Sequence, residues 1–153
     1  VQVATPPQQY STLHGLVGSK DGLIYVSDRR GNRIQVFRTD GTFVKEGFIV
    51  RSTLGAGSAW DLAFSKDPAQ RYLFVAEGLK MRGHVPPRDT LETLTSFGEG
   101  GRQPGQFYGV HSIATDSQGN VYTTETYEGK RVQKFAFKGI RRVSRQQGVV
   151  WPR

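Results

Sequence analysis

Two of the three histidines in the 153-residue chain occupy equivalent points of an internal repeat. His14 opens the run His-Gly-Leu-Val-Gly, and His111 opens the run His-Ser-Ile-Ala-Thr further along the chain. Neutral imidazoles are frequent zinc ligands, and three of them with one open position form a catalytic zinc site. The pair therefore predicts two of the three ligands of a metal site, with the third supplied from outside this chain. The alternative is a pair of hydrogen-bonded repeat residues without a metal.

Four further polar side chains are candidates for chemistry. Arg29 follows Asp28 in the run Asp-Arg-Arg-Gly and is a candidate for a functional role. The alternative for Arg29 is a solvated loop side chain. Asp28 and Glu125 share a repeat position and are predicted to accept backbone amides rather than to act as acid and base. His84, in Gly-His-Val-Pro-Pro, is predicted to be a solvated loop residue.

The elements that must position these residues belong to a repeat marked by His14, Trp60 and His111, at spacings of 46 and 51 residues. Each copy contains short β-rich runs separated by Lys-Asp-Gly, Gly-Asn or Asp-Gly turns, which predicts an antiparallel meander. A repeat of about 40–50 residues with four short strands is typical of a propeller blade. No segment keeps a helical period, so helices are expected to be minor.

The predicted fold class is all-β: a single partial β-propeller domain of about three blades. The blades are predicted over residues 10–51, 57–98 and 107–140, followed by a basic C-terminal tail or closing strand over residues 141–153.

Strands are less evident in the second copy. They are predicted at residues 60–64 and 72–77, with a third strand at residues 90–94 and a fourth near residues 93–97. Residues 98–107 are predicted to connect two blades, with Phe107 and Tyr108 packed between them. Trp60, Phe64, Tyr72 and Phe74 are predicted to form the core between blades.

The amino-acid composition excludes some classes of function and limits the possible partners. The chain has no Cys, which excludes disulfides and thiolate chemistry, and no apolar run long enough to span a membrane. Its net charge of +8 arises after residue 129, where eight basic residues meet no acidic ones. That segment is either a solvated tail or a polyanion-binding surface. Nucleic acid is the less favoured partner, because few aromatic residues accompany the charge.

The run Ser-Asp-Arg-Arg-Gly-Asn-Arg-Ile-Gln-Val-Phe at residues 27–37 resembles the core of an NHL repeat, and residues 119–135 resemble a second. The resemblance implies a propeller of about six blades, of which this chain supplies about three. Soluble proteins avoid exposed sheet edges, so further blades must complete the ring. The chain is then the C-terminal half of a longer propeller, which we favour, or one of two copies that associate.

Among NHL propellers, the motif resembles that of the peptidyl-α-hydroxyglycine α-amidating lyases, which cleave peptidyl-α-hydroxyglycine to a peptide amide and glyoxylate. The matching residues are His14, Asp28-Arg29, Arg33-Ile34-Gln35 and His111. The resemblance implies that His14 and His111 ligate zinc and that Arg29 binds the carboxylate of a peptide or another small anion. It also implies a periplasmic or extracellular location.

Two positions depart from the lyase pattern. Ser112 stands where the family has an acidic residue near a structural calcium, and Gly109 stands where it has a larger side chain. The family's catalytic Tyr and another Arg lie upstream of Val1. Lyase activity is therefore expected only of a completed propeller. The alternative functions are a non-catalytic scaffold for protein or carbohydrate and, less favoured, a nucleic-acid-binding propeller.

Overall fold

The computed structural model describes residues 9–139, which form eleven β-strands and no helix. The first sheet consists of β1 (Leu13–Gly18), β2 (Leu23–Asp28), β3 (Arg33–Arg38) and β4 (Phe43–Phe48). The second consists of β5 (Asp61–Phe64), β6 (Leu73–Glu77), β7 (Arg82–Val85) and β8 (Thr95–Phe97). The third consists of β9 (Val110–Thr115), β10 (Val121–Glu125) and β11 (Val132–Phe135). No helix that could cross a membrane occurs in this part of the chain.

Each sheet is an antiparallel meander whose strands pair in chain order. The innermost strands β1, β5 and β9 lie side by side, so the sheets are arranged as successive blades around a common inner edge. The predicted partial propeller is confirmed, and the three sheets lie within the three predicted blade ranges. The tail or closing strand predicted at residues 141–153 lies outside the described residues.

The third strand of the second blade differs from the prediction. It is β7 (Arg82–Val85), whereas residues 90–94, predicted as this strand, belong to the loop that leads to β8. Pro86 and Pro87 follow β7 directly, and Leu91 is 1% exposed because the loop folds back against Gly47 of the first blade. The apolar pattern at residues 90–94 therefore reflects loop packing rather than a strand.

His84 is also placed differently from the prediction. It lies in β7, is 5% exposed, and its Nε2 is 2.5 Å from Oε2 of Glu77. The prediction of a solvated loop residue is wrong, since the Pro-Pro pair that suggested a loop begins only after β7 has ended.

Two apolar clusters fill the spaces between blades. Side chains alternate between the two faces of each strand, so each blade contributes one set to each neighbour. The first cluster includes Tyr25, Ile34, Val36, Leu62, Phe64 and Val75, and the second includes Trp60, Ala76, Phe107, Val110, Ile113 and Val121. The predicted core positions of Trp60, Phe64 and Phe107 are confirmed. Tyr72 and Phe74 are half-buried.

A buried carboxylate ends the second strand of every blade. Asp28 accepts the backbone N–H groups of Ser11 and Thr12 at 3.0 and 2.9 Å, and pairs with Arg33 Nε at 3.1 Å. It thereby fastens the segment that leads into its own blade. The prediction that this carboxylate accepts backbone amides is confirmed.

The third blade repeats this arrangement, which we call the carboxylate clamp, and the second blade has a variant of it. Glu125 accepts the N–H of Tyr108 at 2.7 Å and pairs with Arg131 Nε at 2.6 Å, as predicted for a backbone-binding carboxylate. Glu77 accepts the hydroxyl of Thr53 at 3.0 Å and contacts His84. The carboxylate clamp therefore fastens the segment just before the innermost strand in the first and third blades, whereas Glu77 in the second blade holds two side chains.

Candidate functional site

A β-bulge positions each of the two candidate metal ligands. In the first blade Leu13 faces Asp28 and Gly15 faces Ser27, which leaves His14 without a partner residue. In the third blade Glu125 faces Val110 and Thr124 faces Ser112, which leaves His111 as the extra residue. A bulge removes a side chain from the regular alternation and re-aims it. The same kind of β-bulge therefore orients both imidazoles.

The two imidazoles come together across the second blade. Their ring centroids are 4.7 Å apart, and Trp60, at the equivalent position of the intervening blade, lies 5.7 Å from His14 and 5.3 Å from His111. Both histidines are half-buried, whereas Trp60 is 3% exposed. The buried indole of Trp60 therefore packs against both imidazoles.

The hydrogen bond of His14 determines its tautomer. Nδ1 of His14 lies 2.5 Å from the carbonyl oxygen of Trp60, and a carbonyl only accepts, so Nδ1 carries the proton and donates it. The lone pair is then on Nε2. Metal-bound histidines use this arrangement, with one ring nitrogen donating to a backbone carbonyl and the other facing the metal.

The surroundings of His111 favour its neutral form. Burial lowers the pKa of His111, and the neighbouring His14 and Arg29 lower it further against the opposing effect of Asp61. A neutral imidazole retains the lone pair that a metal ligand needs. Nδ1 of His111 lies 3.3 Å from the hydroxyl of Ser112.

Arg29 lies at the same end of the blades, in the turn after β2. Its guanidinium carbon is 4.8 Å from the centroid of the Trp60 ring, which is a cation–π distance. Its Nε is buried and has no hydrogen-bond partner among residues 9–139. The structure therefore places all three predicted site residues, His14, His111 and Arg29, around Trp60.

Asp61 and Gly15 fix the spacing of the three innermost strands. One oxygen of Asp61 accepts the N–H of Ile113 at 3.0 Å, which ties β5 to β9. On the other side, a Cβ at Gly15 would lie 2.7 Å from the second oxygen of Asp61 and 2.9 Å from the hydroxyl of Ser27. Glycine is thus required beside His14, because β1 and β5 approach too closely for a side chain.

Within residues 9–139, no group of three His, Cys, Asp or Glu side chains converges as a complete metal site. Two imidazoles are one ligand short of a catalytic zinc site with three protein ligands. The part of the chain that the structure describes therefore supplies an incomplete donor set.

Sequence reasoning missed the residues that orient the histidines. The carbonyl of Trp60 leaves no signal in the side-chain pattern. Neither bulge is visible in the sequence, because one extra residue in a strand looks like a one-residue shift of the alternating pattern. Asp61 could have been noticed, since a carboxylate opening a buried innermost strand needs a partner.

Comparison with known proteins agrees with this architecture. Residues 11–37 match the family model of the NHL repeat. A search of curated proteins gave no match. Solved structures that resemble the chain are β-propeller proteins. The described residues therefore have the fold of a partial β-propeller, in which residues 11–37 match an NHL repeat.

Three of these solved structures illustrate the likeness of the partial propeller to other proteins. Virginiamycin B lyase from Staphylococcus aureus has a TM-score of 0.59 at 17% identity, over 88% of this chain and 44% of that chain. A nidogen/laminin complex has a TM-score of 0.55 at 15% identity, over 82% of this chain and 52% of that one. Hydrazine synthase of Kuenenia stuttgartiensis has a TM-score of 0.59 at 11% identity, over 82% of this chain and 33% of that chain.

These identities are low, so the likeness concerns the fold alone. The partial propeller spans between a third and about half of the length of the three structures. Their chemistry differs from one to the next, and a shared propeller does not carry a shared activity.

Proposed function

We propose that this chain forms part of a metal-dependent, lyase-like propeller whose channel holds a zinc ion between His14 and His111. The observation that supports the proposal is the bulged imidazole pair, with ring centroids 4.7 Å apart. The carbonyl of Trp60 leaves Nε2 of His14 free to coordinate. Bulges beside a channel are a recurrent way of aiming functional side chains.

The donor set fits zinc as two of three ligands. Imidazole nitrogen is a preferred zinc donor, and the burial that lowers the pKa of His111 favours its neutral form. A third ligand and an open position would come from blades outside the described chain. Zinc bound there would polarise a substrate hydroxyl or carbonyl oxygen.

Arg29 would orient the substrate. Its guanidinium rests on Trp60, and the side chain is only half-buried, so the exposed part of the side chain can meet a ligand. A planar guanidinium binds a carboxylate through two parallel hydrogen bonds. The proposed substrate is therefore a peptide or another small molecule that carries a carboxylate. A periplasmic or extracellular location accompanies this proposal through the lyase resemblance.

Zinc titration of metal-free protein tests the metal site. The double variant His14→Ala, His111→Ala is expected to bind zinc at least about 100-fold more weakly than the wild type, because both nitrogen donors are removed. His84→Gln is the matched control, since it also removes an imidazole and places glutamine where Gln35 and Gln133 stand in the other blades. Equal zinc affinity of the double variant and the wild type would contradict the proposal.

A second titration tests Arg29. Wild-type protein is expected to prefer an acetylated peptide with a free carboxylate over its amide, and Arg29→Met is expected to lose that preference. Arg30→Met, the neighbouring exposed arginine, is the control. No difference between carboxylate and amide in the wild type would remove Arg29 from the proposed site.

A non-catalytic protein-binding scaffold is the second candidate. Leu54, Leu79 and Tyr127 are 68%, 46% and 72% exposed, and all lie in loops at the end of the blades where the histidines meet. Exposed apolar groups on one loop face favour protein recognition. Under this alternative, the double histidine variant would keep partner binding and Tyr127→Ala would weaken it.

The less favoured nucleic-acid alternative has a direct test. Arg131, one of the basic residues after residue 129, is engaged in the clamp of the third blade. Binding through the remaining basic groups would fall steeply with salt concentration, because counterions are released from phosphates. An affinity for oligonucleotides that does not change with salt would exclude it.

A further inference from the structure

Among residues 9–139, the gap between the second and third blades contains an apolar groove with a volume of about 990 Å³. It lies at the end of the blades opposite the histidine pair, because the turn after β9 lines it, whereas His111 stands near the start of β9. Its apolar walls are formed by Phe74, Phe97, Val121, Phe135 and Phe137. Contiguous apolar surface of this kind marks a site where another group packs.

The corresponding gap between the first and second blades is occupied by the loop that follows β7. Leu91 of this loop is 1% exposed in the core that the two blades share, and a Cβ at Gly47 would lie 2.2 Å from the Cβ of Leu91. Nζ of Lys45 in β4 donates to the carbonyls of Arg88 and Asp89 at 2.7 and 2.6 Å. The loop of the second blade therefore packs back onto the preceding blade.

The strand register identifies the residues of the third blade that correspond to this loop. His84 and Gln133 occupy the same position in the third strands of their blades, as their partners in the adjacent strands show. Leu91 follows His84 by seven residues, and Ile140 follows Gln133 by seven residues. Ile140 is thus the counterpart of the buried Leu91.

The chain runs along the groove as far as the described residues extend. The N–H of Phe137 donates to Oδ1 of Asn120 at 3.0 Å, and its Cδ1 lies 3.1 Å from where a Cβ of Gly119 would be. Residues 136–138 line the groove directly. Two further residues span at most about 7 Å, so Ile140 is within reach of the apolar walls.

We propose that the segment that begins at Ile140 folds back into this groove, with Ile140 as its buried anchor. The segment then occupies the gap between the second and third blades as residues 86–94 occupy the gap between the first and second. Val143 stands at the counterpart position of Leu94, which keeps the apolar spacing of the earlier loop. Removal of the isoleucine side chain and of the phenyl rings from water drives the packing. The segment thereby fastens the third blade, which carries His111, to the second.

Thiol labelling tests the position of Ile140, because the chain has no cysteine of its own. In the 153-residue chain, Ile140→Cys is expected to react with a thiol reagent at least about 100-fold more slowly than Leu54→Cys, because a thiol inside the groove reacts only when the segment opens. Leu54 is the matched control, since it is 68% exposed and lies at the opposite end of the blades. Equal labelling rates of the two variants would overturn the proposal.

A second substitution tests whether the groove is what covers Ile140. Leu94 lines the groove and is 65% exposed, so Leu94→Arg should fold, which circular dichroism checks, while it places a bulky charge at the wall. Added to Ile140→Cys, it is expected to raise the labelling rate at least about tenfold, because it repels Arg141 and Arg142 and makes the wall polar. Leu54→Arg is expected to leave the rate unchanged.

Two outcomes of these measurements would contradict the assignment of the groove to this segment. Protection that survives Leu94→Arg would mean that another surface covers Ile140. Protection that falls on dilution would mean that a second copy supplies the segment. Because no metal enters these measurements, their outcomes are independent of whether zinc binds.

Discussion

At the scale of single residues, the same side chain takes different roles according to the backbone that holds it. His14 and His111 are displaced from strand alternation by bulges and meet, half-buried, beside Trp60 at the inner edge of the blades. His84 follows the alternation of β7 and is buried against Glu77. The type of side chain therefore indicates which chemistry is available, and the local backbone decides whether that chemistry is accessible.

Thr123 offers a test of how polar groups are matched in the core. It is 1% exposed, and its hydroxyl has no hydrogen-bond partner among the described residues. Val75 occupies the equivalent position of the second blade. Thr123→Val is expected to raise the free energy of unfolding by about 1 kcal/mol, because it removes the cost of burying an unpaired hydroxyl.

Urea denaturation measures this effect. Thr95→Val, at an exposed strand position, is the control and is expected to change stability by no more than about 0.5 kcal/mol. Destabilisation by Thr123→Val would mean that the hydroxyl has a partner, such as a bound water.

The candidate site was predictable from the sequence as far as residue type and repeat position allow. His14, His111 and Arg29 are brought together, because equivalent positions of neighbouring blades share the inner edge. The ring orientation was not predictable, since it depends on a hydrogen bond to the backbone carbonyl of Trp60. The role of His84 was missed because the clamp becomes visible only when its strand is placed correctly.

At the scale of strands and turns, the carboxylate clamp is the feature that recurs from blade to blade. The runs Arg33-Ile34-Gln35, Arg82-Gly83-His84 and Arg131-Val132-Gln133 occupy equivalent third-strand positions. Asn32, Met81 and Lys130, which precede them, all have left-handed φ angles of 56°, 56° and 47°. In the second blade His84 contacts the carboxylate in place of an arginine, and Arg82 is exposed.

This exchange provides a matched pair of variants. Arg33→Met is expected to lower the free energy of unfolding by about 3–5 kcal/mol, because it leaves the fully buried Asp28 without its counter-charge. Arg82→Met, at the equivalent but exposed position, is expected to cost less than about 0.5 kcal/mol. Denaturation of both variants, measured side by side, checks the difference. Equal losses would show that the clamp does not depend on burial.

The close approach of β1 and β5 gives a second test at this scale. Gly15→Ala is expected to destabilise the protein by about 1–3 kcal/mol, because the added methyl group meets Asp61 and Ser27. It should also weaken zinc binding, since it displaces the neighbouring His14. Gly18→Ala on the same strand is the control, because a Cβ there meets only Ile24 at an ordinary 3.7 Å. Unchanged stability of Gly15→Ala would mean that the strands separate without cost.

Strand positions were predictable where turns are short and regular. The first blade has Lys-Asp-Gly and Asp-Gly turns, and its strands lie where the pattern places them. The prediction failed at the third strand of the second blade, because the long loop after β7 contains the buried Leu91. Such a leucine has the hydrophobic signature of a strand, although the contact that buries it comes from another blade.

At the scale of the whole molecule, the first and third blades lie at the two ends of the described stack. Leu16 and Val132, on their outer sides, are 68% and 69% exposed, whereas the equivalent residues Leu62 and Ile34 are buried between blades. This links the site to assembly, because the blades that would cover Leu16 and Val132 are also the ones that would supply further ligands to the channel. Completion by a second copy differs from completion within one longer chain in one respect: it depends on concentration.

Thermal unfolding makes that difference measurable. If two copies close the ring, a tenfold rise in protein concentration adds about 1.4 kcal/mol of stability per dimer, and the unfolding midpoint should rise by a few degrees. Leu16→Asp places a charge at an exposed apolar position that an adjoining blade would cover, so this variant should unfold at a midpoint that does not change with concentration. Calorimetry at three concentrations of each protein gives both slopes. A wild-type midpoint that stays constant with concentration would exclude closure by a second copy, because association between copies makes stability follow concentration.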